Sequence, residues 1–162
     1  MYFKNFPIMF YQFDIGGVET SLVVKDITRN IRFRRDVLAN ISVYDEYDIL
    51  DNETPEHIAE RIYGNPNYHW IVMLQNERFD YRADFPLSNL DMEKHIESKY
   101  GNTKYDIHHY VNDAGYTVDA AHSTGSITNY DYEYTHNESK RRIKLVPKIM
   151  IDKILANFKE LI

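Results

Sequence analysis

Residues 47–76 read YDILDNETPEHIAERIYGNPNYHWIVMLQN, and this stretch carries the clearest structural signals in the chain. Alternating polar and apolar residues at its start predict a short strand. Thr54 followed by Pro55 predicts the start of a helix, because threonine caps helices and proline is tolerated in the first turn. Gly64 predicts the end of that helix. A second short helix follows and ends near Asn76, so the stretch predicts one strand and two helices.

The whole chain has 162 residues, of which 43% are hydrophobic, so it is long enough for one small domain with attached segments. The predicted fold class is α+β, a small β-α-α-β module with an extended N-terminal arm and a C-terminal β-hairpin and helix region. The arm spans residues 1–44 and the module residues 45–82. Residues 83–162 hold a further helix, β segments and a terminal amphipathic helix.

Charge and composition exclude several classes of function. The net charge of −6 argues against non-specific nucleic-acid binding, which depends on an excess of basic residues. The absence of cysteine excludes disulfides and thiolate zinc sites. No apolar run is long enough to cross a bilayer, and the first residues lack the pattern of a signal peptide. We therefore expect neither a nucleic-acid nor a membrane partner, and a protein made in the cytosol.

The sequence contains no arrangement that predicts catalysis, a metal or a cofactor. None of the seven histidines has a second histidine four residues away, the spacing of a helical zinc site. His108 and His109 are neighbours on a predicted strand, so their side chains are expected on opposite faces. Carboxylates are plentiful, but nothing singles out a pair of them. No nucleophile elbow and no phosphate-binding glycine loop occurs, so the prediction is a protein that is not an enzyme.

Aromatic residues are unusually frequent, with 14 tyrosines and 8 phenylalanines. Such enrichment is typical of interface cores, although a tyrosine-rich sheet has the same composition. Alternation in NYDYEYT predicts a strand with Tyr130, Tyr132 and Tyr134 on one face and the acidic residues on the other. A turn is predicted near His136. These tyrosines form either a partner contact or an ordinary sheet face.

Charge runs give a second set of contact candidates. The segment RNIRFRRDV at residues 29–37 is basic, and residues 45–53 are acidic. The two runs form either a solvated surface with intrachain pairs or a charged clamp on another protein. The predicted interface residues from both features are Phe6, Phe10, Arg29, Arg32, Arg34, Tyr130, Tyr132, Tyr134 and Phe158.

The opening stretch resembles a LysM module, a small β-α-α-β fold. Tyr47 opens the strand, Tyr63-Gly64 ends the first helix, and Asn76 closes the second. The resemblance implies binding of N-acetylglucosamine polymers by loops before helix one and after helix two, whose residues here are Asp51, Asn52, Glu53, Thr54, Gln75 and Asn76. The usual turn glycine is missing in DNET. The usual closing strand is also missing, so the second strand is weak, displaced or supplied from elsewhere.

The full chain resembles the LysM-containing baseplate wedge protein of contractile-tailed, T4-like bacteriophages. The matching segments include YFKNFPIMFY, VVKDITRNIRF, DFPLSNLDMEKHIESKYG, ITNYDYEY and ESKRRIKLVP, in addition to the module. The resemblance implies a virion protein that clamps neighbouring wedge subunits in the tail baseplate during assembly in the host cytoplasm. Implied partners are other wedge proteins and sheath-initiating or hub proteins. The alternative is a LysM-type peptidoglycan binder, and a wall-degrading enzyme is a weaker third hypothesis.

Overall fold

The computed structural model describes residues 2–29 and 44–161. Within these residues the chain combines helices and strands, which confirms the predicted α+β class. The strands are β1 Ile8–Ile15, β2 Val18–Lys25, β3 Asp45–Asp48, β4 Ile107–Val111, β5 Thr117–Val118, β6 Gly125–Thr128 and β7 Arg142–Leu145. The α-helices are α1 Pro55–Tyr63, α2 His69–Gln75, α3 Asn89–Tyr100, α4 Asn129–Ser139 and α5 Ile151–Leu161.

The chain divides into two compact units, and neither is a continuous segment. The first comprises Met1–Asp45, Thr54–Glu77 and Lys144–Ile162, and the second comprises Glu46–Glu53 and Arg78–Ile143. The described strands form two two-stranded sheets, β1-β2 and β3-β7, and one three-stranded sheet in the order β5-β4-β6. The sequential division at residues 44 and 82 stays a prediction about how the chain is organised.

Local signals fix helix α1 as the sequence predicts. The Thr54 hydroxyl accepts the His57 backbone N–H at 3.3 Å, and the His57 imidazole accepts the Thr54 N–H at 3.4 Å. This reciprocal pair is a capping box with histidine in the place of the usual glutamate. Gly64 ends the helix at φ +76°, a left-handed conformation that glycine adopts without strain. The inward face of α1 carries Ile58 and Ala59, both fully buried.

The aromatic core of the first unit joins segments that are far apart in sequence. The ring of Trp70 on α2 lies 4.6 Å from that of Phe158 on α5, and the ring of Phe6 lies 6.3 Å from that of Phe158. All three side chains are buried. Ile71 and Ile154 add aliphatic side chains to the buried set. Closely placed tilted rings stabilise such a core beyond the area they bury.

Two polar side chains on α4 are buried in the second unit. Glu133 accepts hydrogen bonds from Lys99 and from the Tyr100 hydroxyl, the latter at 2.8 Å, at the end of α3. Asn137 accepts the Leu87 N–H at 2.8 Å and donates to the Leu87 carbonyl at 3.1 Å. Buried polar groups need such partners, so these bonds fix α4 against α3 and the segment before it.

The predicted strand at NYDYEYT is wrong, since these residues lie in α4. Thr128 caps the helix by accepting the Asp131 N–H at 3.1 Å. The inward positions of α4 are Glu133 and Asn137, four residues apart, so the helix has no apolar stripe for the sequence to reveal. His136 lies inside the helix and not in the predicted turn.

Strand β3 has a distant partner. It pairs with β7, which lies about 95 residues further along the chain. In the second unit the Ile49 N–H donates to the Arg141 carbonyl at 2.9 Å, and the Arg141 guanidinium donates to the Ile49 carbonyl at 2.7 Å. From the sequence, the second strand of the module was expected to be weak, displaced or supplied from elsewhere. The strand that pairs with β3 is β7, which lies outside residues 45–82. The LysM resemblance itself stays a prediction.

No helix in the described ranges is long and apolar enough to cross a membrane.

Candidate interaction surfaces

The β1-β2 hairpin carries one face without a charged residue. Gly16 and Gly17, at φ +64° and +86°, form the tight two-residue turn that this hairpin geometry requires. The register pairs Ile15 with Val18 and continues without a bulge to Ile8 and Lys25. Cross-strand partners share a face, so one face is made of Met9, Tyr11, Phe13, Ile15, Val18, Thr20, Leu22 and Val24. We call this set the uncharged face.

No side chain of β1 or β2 is buried, and Val18 and Ile15 are at least 60% exposed. A two-stranded hairpin is only marginally stable in water unless its apolar face is covered. Contiguous exposed apolar surface of this kind marks interaction sites in native proteins. Among the described residues of the first unit, the exposed apolar side chains of Tyr11, Ile15, Val18 and Leu22 make the uncharged face a candidate contact surface.

The opposite face of the hairpin is mixed, and its charged side chains at the two ends have partners in the chain. The Asp14 carboxylate accepts the Gly17 N–H at the turn. The Lys25 ammonium donates to the carbonyls of Phe6 and Lys4, at 2.7 and 3.1 Å. Phe10 lies on this face and is 76% exposed, so this predicted interface residue is available to a partner.

Two other predicted interface residues are not at the surface. Phe6 is 1% exposed and Phe158 is 6% exposed, because Phe158 packs against both Phe6 and Trp70 in the core of the first unit. Their side chains stabilise the unit and offer almost no surface to a partner in this conformation.

Of the three predicted basic interface residues, Arg29 lies among the described residues. The Arg29 guanidinium contacts the Asp26 carboxylate at 3.1 Å, an exposed pair of the kind that contributes little to stability. Hydrogen bonds to Asp26 lower the pKa of its carboxyl group. The hydrogen bond from the Thr28 side chain has the largest effect, followed by that from Arg29. Arg32 and Arg34 lie outside the described residues.

The three candidate tyrosines do not share a face, since they lie on a helix. Tyr130 and Tyr134 are one turn apart with nearly parallel rings 6.4 Å apart, and Tyr105 lies 5.8 Å from Tyr130. The Tyr130 hydroxyl donates to the Glu93 carboxylate at 2.6 Å, which raises the pKa of Tyr130 to about 12. Tyr105, Tyr130 and Tyr134 therefore form an aromatic patch on the second unit, with Tyr105 the most exposed.

Tyr132 belongs to a separate cluster with histidines. Its ring stacks on His108 at 3.9 Å and is parallel to His136 one turn along α4. The expected opposite orientation of His108 and His109 is wrong, because their Nδ1 atoms lie 2.8 Å apart. A register irregularity between Ile107 and His109 interrupts the regular alternation of side chains at this point.

The residues of the predicted sugar-binding loops mostly serve the chain itself. Asp51 accepts the Asn89 N–H at 3.0 Å, and Asn52 is at φ +59°. The Glu53 carboxylate accepts the Tyr47 hydroxyl at 2.8 Å and the Leu50 N–H at 3.0 Å. Thr54 is the cap of α1. The polar side chains of Asp51, Glu53 and Thr54 thus already hydrogen-bond within the chain.

At the end of α2, the side chains of Gln75 and Asn76 hydrogen-bond to strand β7 and the residue after it, within the first unit. The Asn76 amide accepts the Lys144 N–H and donates to the Lys144 carbonyl, both at 2.8 Å. It also donates to the Val72 carbonyl at 2.8 Å. The Gln75 side-chain oxygen accepts the Val146 N–H at 2.8 Å. This side-chain pairing extends the hydrogen bonding of β7 beyond its partner strand.

Residues 2–29 and 44–161 contain no group of three histidine or acidic side chains arranged to hold a metal ion. The titratable side chains around Glu133 and around Tyr132 contact one another within the second unit. The prominent features of the described surface are thus exposed apolar and aromatic side chains.

A family model described as base plate wedge protein 53, of phages, matches residues 1–121. The chain belongs to this family. No curated protein matches the chain. As a member of the wedge protein family, the chain is a structural component of the phage baseplate, located in the virion tail and interacting with other baseplate components. The family is a structural one and not a known family of enzymes.

The matched range includes the hairpin, most of whose exposed residues were not among the sequence candidates. Only Phe10 was predicted there, on the mixed face. The signal for the uncharged face is present in the sequence, because two apolar runs flank Gly16 and Gly17 at hairpin spacing. Reading the register outward from that turn groups Tyr11 with Leu22 and Ile15 with Val18.

Proposed function

We propose that this wedge family member clamps neighbouring wedge subunits together during baseplate assembly in the host cytoplasm. The observation that carries the proposal is the uncharged face of the β1-β2 hairpin, on which Tyr11, Ile15, Val18 and Leu22 are exposed while Met9, Phe13, Thr20 and Val24 are partly exposed. The partners of the chain in this proposal are other wedge proteins, with sheath-initiating or hub proteins as further neighbours. A structural protein of a large assembly gains its binding energy from such apolar surface once it is covered.

The aromatic patch of Tyr105, Tyr130 and Tyr134 supports a second contact, on the second unit. Tyrosine is enriched at the energetic centres of interfaces, since its ring buries apolar area while its hydroxyl keeps a polar partner. In this patch Glu93 already satisfies the Tyr130 hydroxyl. A chain with one contact surface on each unit can hold two neighbours, which is what a clamp requires.

A lysine on the uncharged face tests the clamp. Leu22→Lys places an ammonium where a partner would cover apolar surface, and an unpaired buried charge is costly. We expect its incorporation into co-expressed baseplate complexes to fall by about tenfold or more. Ser21→Lys is the matched control, since Ser21 is the neighbouring residue on the mixed face. Quantitative mass spectrometry of purified complexes measures incorporation, and circular dichroism checks folding of each free variant.

Equal incorporation of the two lysine variants would contradict a contact through the uncharged face. If neither variant nor the wild-type chain entered the complex, the clamp proposal as a whole would fail.

A peptidoglycan-binding role has less support. It requires Glu53, Gln75 and Asn76 to offer hydrogen-bonding groups to a sugar, and these groups bind the chain's own backbone and Tyr47 hydroxyl. Pelleting of the wild-type chain with purified peptidoglycan would be the direct sign of that role.

A further inference from the structure

Within residues 2–29 and 44–161, β2 is the one strand that pairs with β1, so the outer edge of β1 is unpaired there. The Asp26 N–H donates to the Pro7 carbonyl at 2.9 Å, which identifies Pro7 and Asp26 as a hydrogen-bonded pair of the ladder. Such pairs alternate along an antiparallel ladder, so the odd-numbered residues of β1 bond to β2. The N–H and C=O groups of Ile8, Phe10, Gln12 and Asp14 therefore point away from β2, along the outer edge of β1.

Strand β1 itself lacks the short length, bulge, proline and charge features by which proteins protect a free edge strand. Edge strands are usually short, bulged, interrupted by proline or guarded by charges. β1 is eight residues long, pairs without a bulge and contains no proline. Its one charged residue is Asp14, whose carboxylate is held by the Gly17 N–H at the turn. β2 differs, since it carries Glu19 and Lys25.

We infer that the outer edge of β1 accepts an extended strand from another baseplate protein, which completes a three-stranded sheet. This inference rests on the proposed clamp and names the chemistry of its contact. The added strand has apolar or uncharged side chains at alternate positions, because those positions extend the uncharged face. Its backbone supplies the hydrogen bonds, and its alternate side chains supply the specificity.

A different baseplate protein fits this edge better than a second copy of the chain. The chain carries a net charge of −6, which opposes association of two copies. Membership of the wedge protein family supplies other proteins as neighbours. A third strand also provides what the hairpin lacks, since three strands with a covered apolar face are stable where two are not.

Two proline substitutions separate the two edges of the hairpin. Gln12 and Ser21 are cross-strand partners in a pair whose N–H groups point outward, one on each edge. Gln12→Pro removes an outward N–H from β1, and Ser21→Pro removes one from β2, while neither removes a bond of the β1-β2 ladder. We expect Gln12→Pro to lower incorporation into co-expressed baseplate complexes by about tenfold, and Ser21→Pro to change it by less than about threefold.

Hydrogen exchange of the wild-type chain gives a readout that does not depend on how well a variant folds. In the free chain the Gln12 and Ser21 amides should exchange at similar fast rates. In the purified complex we expect the Gln12 amide to slow by about a hundredfold or more while the Ser21 amide changes much less. Analytical ultracentrifugation of the free chain tests for a second copy as the occupant.

Several outcomes would overturn the inference. They are slow exchange of the Gln12 amide already in the free chain, protection of Ser21 in place of Gln12, or a stable homodimer that Gln12→Pro abolishes. If the wild-type chain enters the complex and Leu22→Lys does not, but the Gln12 amide stays unprotected, the clamp stands and strand addition fails. If the wild-type chain does not enter the complex, the clamp itself fails.

Discussion

At the scale of single residues, Asn76 has the most clearly assigned task. Its amide matches both backbone groups of Lys144, and a third bond reaches Val72. We expect Asn76→Ala to lower the free energy of unfolding by about 1–3 kcal/mol, because it leaves these backbone groups without their partner. Chemical denaturation measures the change. Asn67→Ala is the control, since the Asn67 side chain bonds to Asn65 at an exposed site, and we expect a loss below about 0.5 kcal/mol.

The same variant distinguishes a structural amide from a sugar-binding one. If Asn76→Ala left the free energy of unfolding unchanged while removing an affinity of the wild-type chain for peptidoglycan, the assignment of Asn76 to strand β7 would be wrong. Loss of stability without any such affinity supports it.

At the scale of elements, Glu133 connects α3 and α4 through Lys99 and Tyr100. Glu133→Gln replaces a buried carboxylate that accepts two hydrogen bonds, and we expect it to cost about 1–3 kcal/mol of unfolding free energy. The control is Glu97→Gln, because Glu97 pairs with Lys104 but is 61% exposed. We expect that control to change stability by less than about 0.5 kcal/mol.

The contribution of Glu133 should depend on pH in a defined direction. Burial raises the pKa of Glu133, but the hydrogen bonds from Lys99 and Tyr100 outweigh burial, so its pKa lies below the ordinary value of 4.5. A carboxyl group with a lowered pKa in the folded state stabilises the fold above its unfolded pKa. That stability is lost as the pH falls from about 4.5 through the folded pKa. Chemical denaturation of the wild-type chain and of Glu133→Gln from pH 7 to 3 measures this effect. We expect the difference between their free energies of unfolding to shrink as the pH falls, and a constant difference would contradict this explanation.

Elements with local signals were predictable from the sequence, and elements with distant or polar determinants were not. Helix α1 follows from Thr54 and Gly64, because a cap and a left-handed glycine act within one turn. Helix α4 was mistaken for a strand because its buried positions are polar and its tyrosines alternate. The partner of β3 could not be predicted, since hydrophobic pattern does not specify which distant strand will pair.

The candidate surfaces show the same division. Phe10 was predicted as exposed contact surface because it lies in an aromatic run near the start of the chain, and it is exposed. Phe6 and Phe158 belong to equally aromatic segments, but their burial depends on Trp70 and on packing between remote residues. Composition identifies aromatic segments, whereas tertiary packing decides which rings remain at the surface.

At the scale of the whole molecule, stability should be unevenly distributed. The hairpin has no buried side chain, whereas α2 and α5 contribute Trp70, Ile71 and Phe158 to a core. We expect amides of the β1-β2 ladder, such as Tyr11, to exchange in the free chain at least about a hundredfold faster than those near Ile71. Mass spectrometry after deuterium exchange measures both regions in one sample. Equal protection would show that the free chain already covers the uncharged face.

The packing of Phe6 and Trp70 against Phe158 also has a consequence for biosynthesis. Phe6 and Trp70 leave the ribosome long before Phe158 is synthesised. The core of the first unit therefore cannot form until the end of translation, and its aromatic side chains stay exposed until then. The second unit has all of its residues once Ile143 has emerged, before the last segment of the first unit is made. A transcript truncated before α5 would therefore yield a chain in which the second unit can fold while the first unit stays unfolded and accessible to proteases. Such a chain would be cleared by the host before it could occupy a place in a tail.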